Sequence, residues 1–286
     1  MANLKEIRNR IASVSSTMQI TSAMKMVSAA KLKKAQDAIT AMRPYAEKLT
    51  ELLQSLSATL DADSGSKYAN QREVKNVLVV AITSNRGLCG AFNSNIIKQT
   101  QHLISNTYAG KNVSVLAIGK KANDTFSKKQ IVVGNYSGLF DDLTFDNVAN
   151  VAEKIMNMFV TGDYDKIEIV YNKFKNAATQ EIMTEQFLPI VPVEVDANVN
   201  LDYIFEPSKV EIVEQLIPKS LKTQLYKSIR DSFASEHGAR MTAMHKATDN
   251  ATELRDQLKL TYNKARQASI TNEILEIVGG AEALNN

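Results

Sequence analysis

Tryptophan is absent from this 286-residue chain, and breakers are few: eleven glycines and five prolines. With only nine phenylalanines and nine tyrosines besides, this composition favours long helices over an all-β fold. One cysteine, Cys89, excludes an internal disulfide framework and a cysteine-rich metal site. Two of the three histidines, His237 and His245, fall on a helical stretch about two turns apart, beyond the adjacent-turn spacing of paired ligands. No metal and no cofactor is therefore expected. Charge of one sign is also lacking overall: 34 basic and 31 acidic residues leave +3, too little to imply nucleic acid on global electrostatics. The longest apolar run, Val77 to Ile82, falls far short of the roughly 20 residues a membrane-spanning helix needs. MANLKEIRNRIASV has neither an apolar signal core nor an Arg-rich transit stretch. The expectation is a soluble, cytosolic chain that another subunit holds wherever it works at a membrane.

What is present is periodicity. Alternate steps of three and four from Leu4 pass through Ile7, Ile11, Val14 and Met18 and continue to Leu60, with only Thr21, Lys25 and Ser28 not apolar. A 3-4 repeat held this long marks a coiled-coil seam. A kink or restart is expected at Arg43-Pro44, and a turn-rich linker over Asp61 to Ser66. The same step returns in Met244, Ala247, Ala251, Leu254, Leu258, Thr261, Ala265 and Ala268. It then shifts register through Ile270, Ile274, Ile277, Ala281 and Leu284. Pro218 is expected to close a short helix and open a long one, on the order of 100 Å at 1.5 Å per residue. Such a helix needs a partner to cover its stripe. The N-terminal helix supplies one, and the tip is expected to continue alone.

Between the ends the pattern changes to strand-helix-strand alternation. Strands are read over 74–83, 112–118, 131–133 and 166–174, with helices over 93–108, 120–130 and 145–160 and an antiparallel edge strand over 179–189. The fold class is α/β with long helices: an antiparallel coiled coil of the N- and C-terminal helices plus a central Rossmann-like, mostly parallel α/β domain. The boundaries read as 1–60, 73–205 and 207–286.

Candidate chemistry is thin. Ser84 to Asn93 follows the first strand, where a doubly wound sheet would carry a phosphate-binding loop. Only Gly87 and Gly90 occur, so the three-glycine dinucleotide fingerprint fails. Ser114 and Lys121 likewise break the P-loop pattern around Gly119-Lys120. A tight turn is the better account of those glycines, and a small semi-buried residue that of Cys89. Residues 1–48 carry nine cations against three acids, a net of +6. That is either a solvated face or a basic rod meeting acidic surfaces, and Lys25 on the stripe itself favours the second.

Three blocks carry a family resemblance: Ile7-Arg8-Asn9-Arg10-Ile11 through Thr17 to Val27 and on to Ala35; Arg86-Gly87-Leu88-Cys89-Gly90; and Ser235 to Ala281 with Ala239-Arg240-Met241, Ala247 to Ala251, Tyr262 to Ala268 and Ile270 to Ile274. Together they resemble the gamma subunits of F-type ATP synthases over nearly the whole chain. The resemblance implies a non-catalytic central rotor shaft of a proton-translocating ATP synthase. Its implied partners are the alpha and beta subunits of the catalytic hexamer, the epsilon subunit and the membrane rotor ring, with no nucleic acid, at the cytoplasmic face of the bacterial plasma membrane. The family's coupling contacts to alpha and beta map onto Met24 and Lys25 on the first helix and onto Arg240, Gln267, Thr271 and Glu273 on the last. Asn85 stands where the family usually has Asp, and Gly238 where Ala is commoner, which implies a locally softer shaft. The first block begins at once, which fits a bacterial chain rather than an organellar precursor. Two other readings stand beside this one: a Rossmann-like nucleotide-dependent enzyme with helical extensions, and a coiled-coil scaffold binding nucleic acid through the basic first helix.

Overall fold

The computed structural model describes residues 4–57, 67–129, 131–190 and 209–285. The chain forms helix α1 (Leu4–Ser57), strand β1 (Asn76–Ile82), helix α2 (Phe92–His102), strand β2 (Asn112–Ile118), helix α3 (Lys120–Phe126), strand β3 (Val132–Asn135), helix α4 (Phe145–Val160), strands β4 (Lys166–Phe174) and β5 (Gln180–Leu188), and helix α5 (Lys209–Asn285). These residues make two compact units, 29–240 and 1–28 with 241–286.

The larger unit is built on a sheet in the order β3-β2-β1-β4-β5. β3, β2, β1 and β4 run parallel, and β5 is antiparallel to β4. β1 is central and apolar on both faces because both faces are covered. Leu78, Val80 and Ile82 join the core of α4 (Val148, Ile155, Phe159) and of α5 (Ile217, Leu221, Leu225, Ile229). Val77, Val79 and Ala81 meet Ile96 of α2 and Ala122 and Phe126 of α3. Thr144 caps α4, its hydroxyl accepting from the Asn147 amide. In this unit α1 contributes Leu32, Ala35, Ile39, Ala46 and Leu49, all buried.

The smaller unit is a helix pair, 4–28 against 241–285. Arg8 donates to the Tyr262 hydroxyl at 2.7 Å, Thr252 reaches Met18 Sδ at 3.3 Å, and the hydroxyls of Thr21 and Thr248 meet at 2.8 Å. Numbers that rise on one helix as they fall on the other define an antiparallel pair. Two of the three polar seam positions are accommodated within the pair: Thr21 and Ser28 are buried, and Thr21 is hydrogen-bonded across the seam.

Several expectations need correction. No helix restarts at Pro44 and none closes at Pro218; both lie inside continuous helices. An interior proline costs about 3 kcal/mol or more, but here it sits among buried neighbours, Ile39, Ala46 and Leu49 in one case and Ile217, Leu221 and Leu225 in the other. Packing of those faces outweighs one missing hydrogen bond. The helix read over 93–108 ends in a wider π turn at Leu103–Thr107, and the short strand read over 131–133 occupies Val132–Asn135. The linker over 61–66, and the end of the central segment read at 205, fall outside the described residues.

Candidate functional site

In a sheet of this order the strand succession runs outward from β1 to β2 and β3, then switches to the other side at β4. The carboxyl ends of the parallel neighbours β1 and β4 form the crevice where such folds take ligands. Here α5 covers that crevice. Ser235 donates to the Asn172 carbonyl of β4 at 3.0 Å. Gly238 lies where a Cβ would sit 3.1 Å from the Ala177 carbonyl oxygen, in the turn after β4. Glycine at this mid-helix position therefore permits close backbone approach, which the sequence alone reads only as softness.

Arg240 completes the cover. Its guanidinium donates to the carbonyls of Arg86 (3.2 Å) and Gly87 (3.3 Å) and pairs with Glu236 at 2.7 Å. It also donates to Nδ1 of His237 at 3.3 Å. Arginine can only donate, so that nitrogen accepts and the imidazole proton sits on Nε2, which meets no hydrogen-bond partner among the described residues. His237 packs edge-on against the Phe233 ring. Burial first, then the Arg240 and Lys31 charges, push its pKa down to about 4. Burial pushes the Glu236 carboxyl above its ordinary range, although Arg240 pulls the other way.

The loop after β1 is braced from below as well. Ser84 donates to the Arg86 carbonyl at 2.6 Å, and Asn93 accepts from the Ser84 amide. Asn85 uses both ends of its amide, donating to the Ser137 carbonyl and accepting from the Lys120 amide, each at 2.9 Å. An aspartate could make only the second of these bonds, so the Asn85 departure has a structural reason. Cys89 is buried, and burial raises its thiol pKa; it has the character of a packed thiol, as the sequence suggested. Gly90 (φ 59°) and Leu88 (φ 62°) are both left-handed. Leu88 is 65% exposed in that conformation, which costs a non-glycine residue on the order of 1 kcal/mol.

A family profile described as ATP synthase matches residues 3–284. The ATP synthase gamma chain of Flavobacterium psychrophilum is 76% identical over 285 residues, covering 99% of both chains. That of Cytophaga hutchinsonii is 56% identical over 295, covering all of both. The chain belongs to the ATP synthase gamma chain family. Its fold agrees: a chain from the Euglena gracilis mitochondrial ATP synthase, in an OSCP/F1/c-ring structure, superposes with a TM-score of 0.71 at 23% identity, over 98% of this chain and 94% of that one. A central stalk/c-ring structure from Tetrahymena thermophila gives 0.60 at 24%, over 80% and 99%. Gamma chains are the central stalk of F-type ATP synthases and are not the catalytic subunits.

The residues singled out from the sequence do not form one cluster. Arg240 is 7% exposed and engaged inside its own chain. Met24 and Lys25 are half-buried on the paired stretch of α1. The contacts of Thr21 with Thr248 and of Arg8 with Tyr262 set Lys25 on the order of 30 Å along the pair from the level of Gln267. Gln267, Thr271 and Glu273 are exposed; the Thr271 hydroxyl donates to the Gln267 carbonyl and Ser269 to the Glu273 carboxylate. Sequence reasoning missed the loop-to-α5 clamp. The only available signal was the pairing of Glu236 with Arg240 at i, i+4. Among the described residues there is no cluster able to hold a metal, and no helix is long and apolar enough to cross a membrane.

Proposed function

We propose that this gamma chain couples rotation of a proton-driven membrane ring to conformational change at catalytic sites carried by beta subunits. The helix pair stands inside the hexamer of alpha and beta subunits, and the sheet-bearing unit meets the epsilon subunit and the ring at the cytoplasmic face of the bacterial plasma membrane. A shaft acts as a rotating ligand: each face must contact the different beta conformations with different free energy, or turning it shifts nothing. Met24, Lys25, Gln267, Thr271 and Glu273 supply such contacts, and Arg240 serves the same coupling.

One observation carries this reading. From Ile270 onward the described side chains of α5 are exposed, including Ile270 (48%), Ile274 (54%), Leu275 (62%) and Ile277 (71%). Apolar residues of that size, ordered on a helix without an internal partner, fit a bearing surface provided by other chains. The test uses the whole synthase reconstituted in vesicles under a proton gradient. Gln267→Leu and Lys25→Ala are expected to assemble and hydrolyse ATP while synthesis falls several-fold. Unchanged synthesis in both variants would remove the helix pair from the coupling role, and ATP turnover by the purified chain alone would overturn the non-catalytic assignment.

A further inference from the structure

We propose that Arg240 is a positioning residue, acting on neighbouring subunits through the 86–88 loop rather than by touching them. The inference rests on the coupling role above and says how one residue serves it.

The guanidinium is nearly fully buried, and each of its edges is occupied. One nitrogen binds Glu236 and His237, while another reaches the two carbonyls of consecutive loop residues, Arg86 and Gly87. Glu236 is itself 7% exposed, so the ion pair is a buried unit whose energetic weight depends on all its bonds being made. Two separate nitrogens of one planar fork serve four acceptors here, more than the three N–H bonds of a single ammonium nitrogen can supply. Directly past the clamped carbonyls the chain turns left-handed at Leu88 and presents that side chain to solvent, with Arg86 exposed beside it. Ser84, Asn85 and Asn93 hold the loop from the sheet side. An apolar side chain held outward at a positive φ, on a loop fixed from two sides, is pre-organised for contact. Contact made by Arg86 and Leu88 is therefore stiff only while Arg240 holds the carbonyls behind them. A direct touch by Arg240 would require giving up those bonds.

The test compares Arg240→Lys, Leu88→Ala and the double variant in the intact synthase. Amide hydrogen exchange is read on the loop, and ATP synthesis in vesicles. Arg240→Lys is expected to speed exchange at residues 87–90 at least tenfold while leaving residues 217–232 of α5 unchanged. Synthesis should fall by a factor similar to that for Leu88→Ala, and the double variant should be no worse than the more severe single one, as expected for residues acting in series. Three results overturn the inference: loop exchange unchanged in Arg240→Lys, faster exchange with full synthesis, or losses that multiply in the double variant. If Arg240→Lys does not assemble, Glu236→Gln, which leaves Arg240 in place but weakens its anchor, takes the same measurements with the same criteria. Failure of the coupling reading itself would look different, because Lys25→Ala and Gln267→Leu would then also leave synthesis intact.

Discussion

Gly238 tests whether a helix glycine is a weakness or a fit. Replacing a mid-helix glycine by alanine gains about 1 kcal/mol from propensity alone. The new Cβ would stand 3.1 Å from the Ala177 oxygen and 3.2 Å from its Cα, tighter than backbone atoms normally allow. Gly238→Ala should therefore fail to stabilise the chain, ending between no change and about 1 kcal/mol less stable in denaturant titration; a full 1 kcal/mol gain would show that the turn yields freely. His237 makes a pH prediction. Its pKa is about 4 in the folded chain and about 6.5 unfolded, so the unfolded chain takes up a proton that the folded one resists. Stability is lost as pH falls through that window and levels off below it. Relative to His237→Gln, the wild type should lose on the order of 2–3 kcal/mol between pH 7 and 4. Thermal unfolding of the two proteins side by side reads this out, and the difference cancels the opposing contribution of Glu236. Parallel pH curves would mean that the ring is already wet.

Elements were legible where one face or both could be read from side-chain period. β2, α4 and β4 fall on the residues that the sequence pattern indicates, and the 3-4 stripe locates the seam of α1. On α5 alternate stripe positions, Leu254, Thr261 and Ala268, are exposed, and the seam runs one residue later through Thr248, Arg255 and Tyr262. Prolines misled because local rules assign breaks, whereas a helix whose neighbours are buried tolerates one missing donor. That leaves a stored penalty: Pro218→Ala should raise stability by roughly 1–3 kcal/mol without altering the fold, by thermal melting of the isolated chain. No gain would mean that the ring is packed usefully against the sheet. The clamp on the loop was not legible, since nothing within residues 84–90 indicates that a side chain 150 positions later will hold their carbonyls. Chemistry was easier to exclude than contact was to locate: missing glycines are visible in a string of letters, while burial of Arg240 follows only from how α5 crosses the sheet ends.

At the scale of the molecule, stability and function draw on different residues. The described side chains of α5 beyond Ile270 bury nothing within the chain, so removing residues 270–286 should leave the unfolding temperature of the isolated protein within about a degree. Synthesis by the assembled enzyme should nevertheless drop. A large fall in melting temperature would show that the tip supports the fold and is no free surface. The covered crevice has a wider consequence. Where related architectures leave this cleft open to a diffusing cofactor, the visitor here is the protein's own last helix, joined to the sheet by the peptide chain. A tethered occupant is present at an effective concentration that a free solute rarely reaches, so it does not need the tight, glycine-lined grip that a phosphate demands. The docking place of such folds is here a socket, and what is plugged into it is a stretch of the chain's own α5.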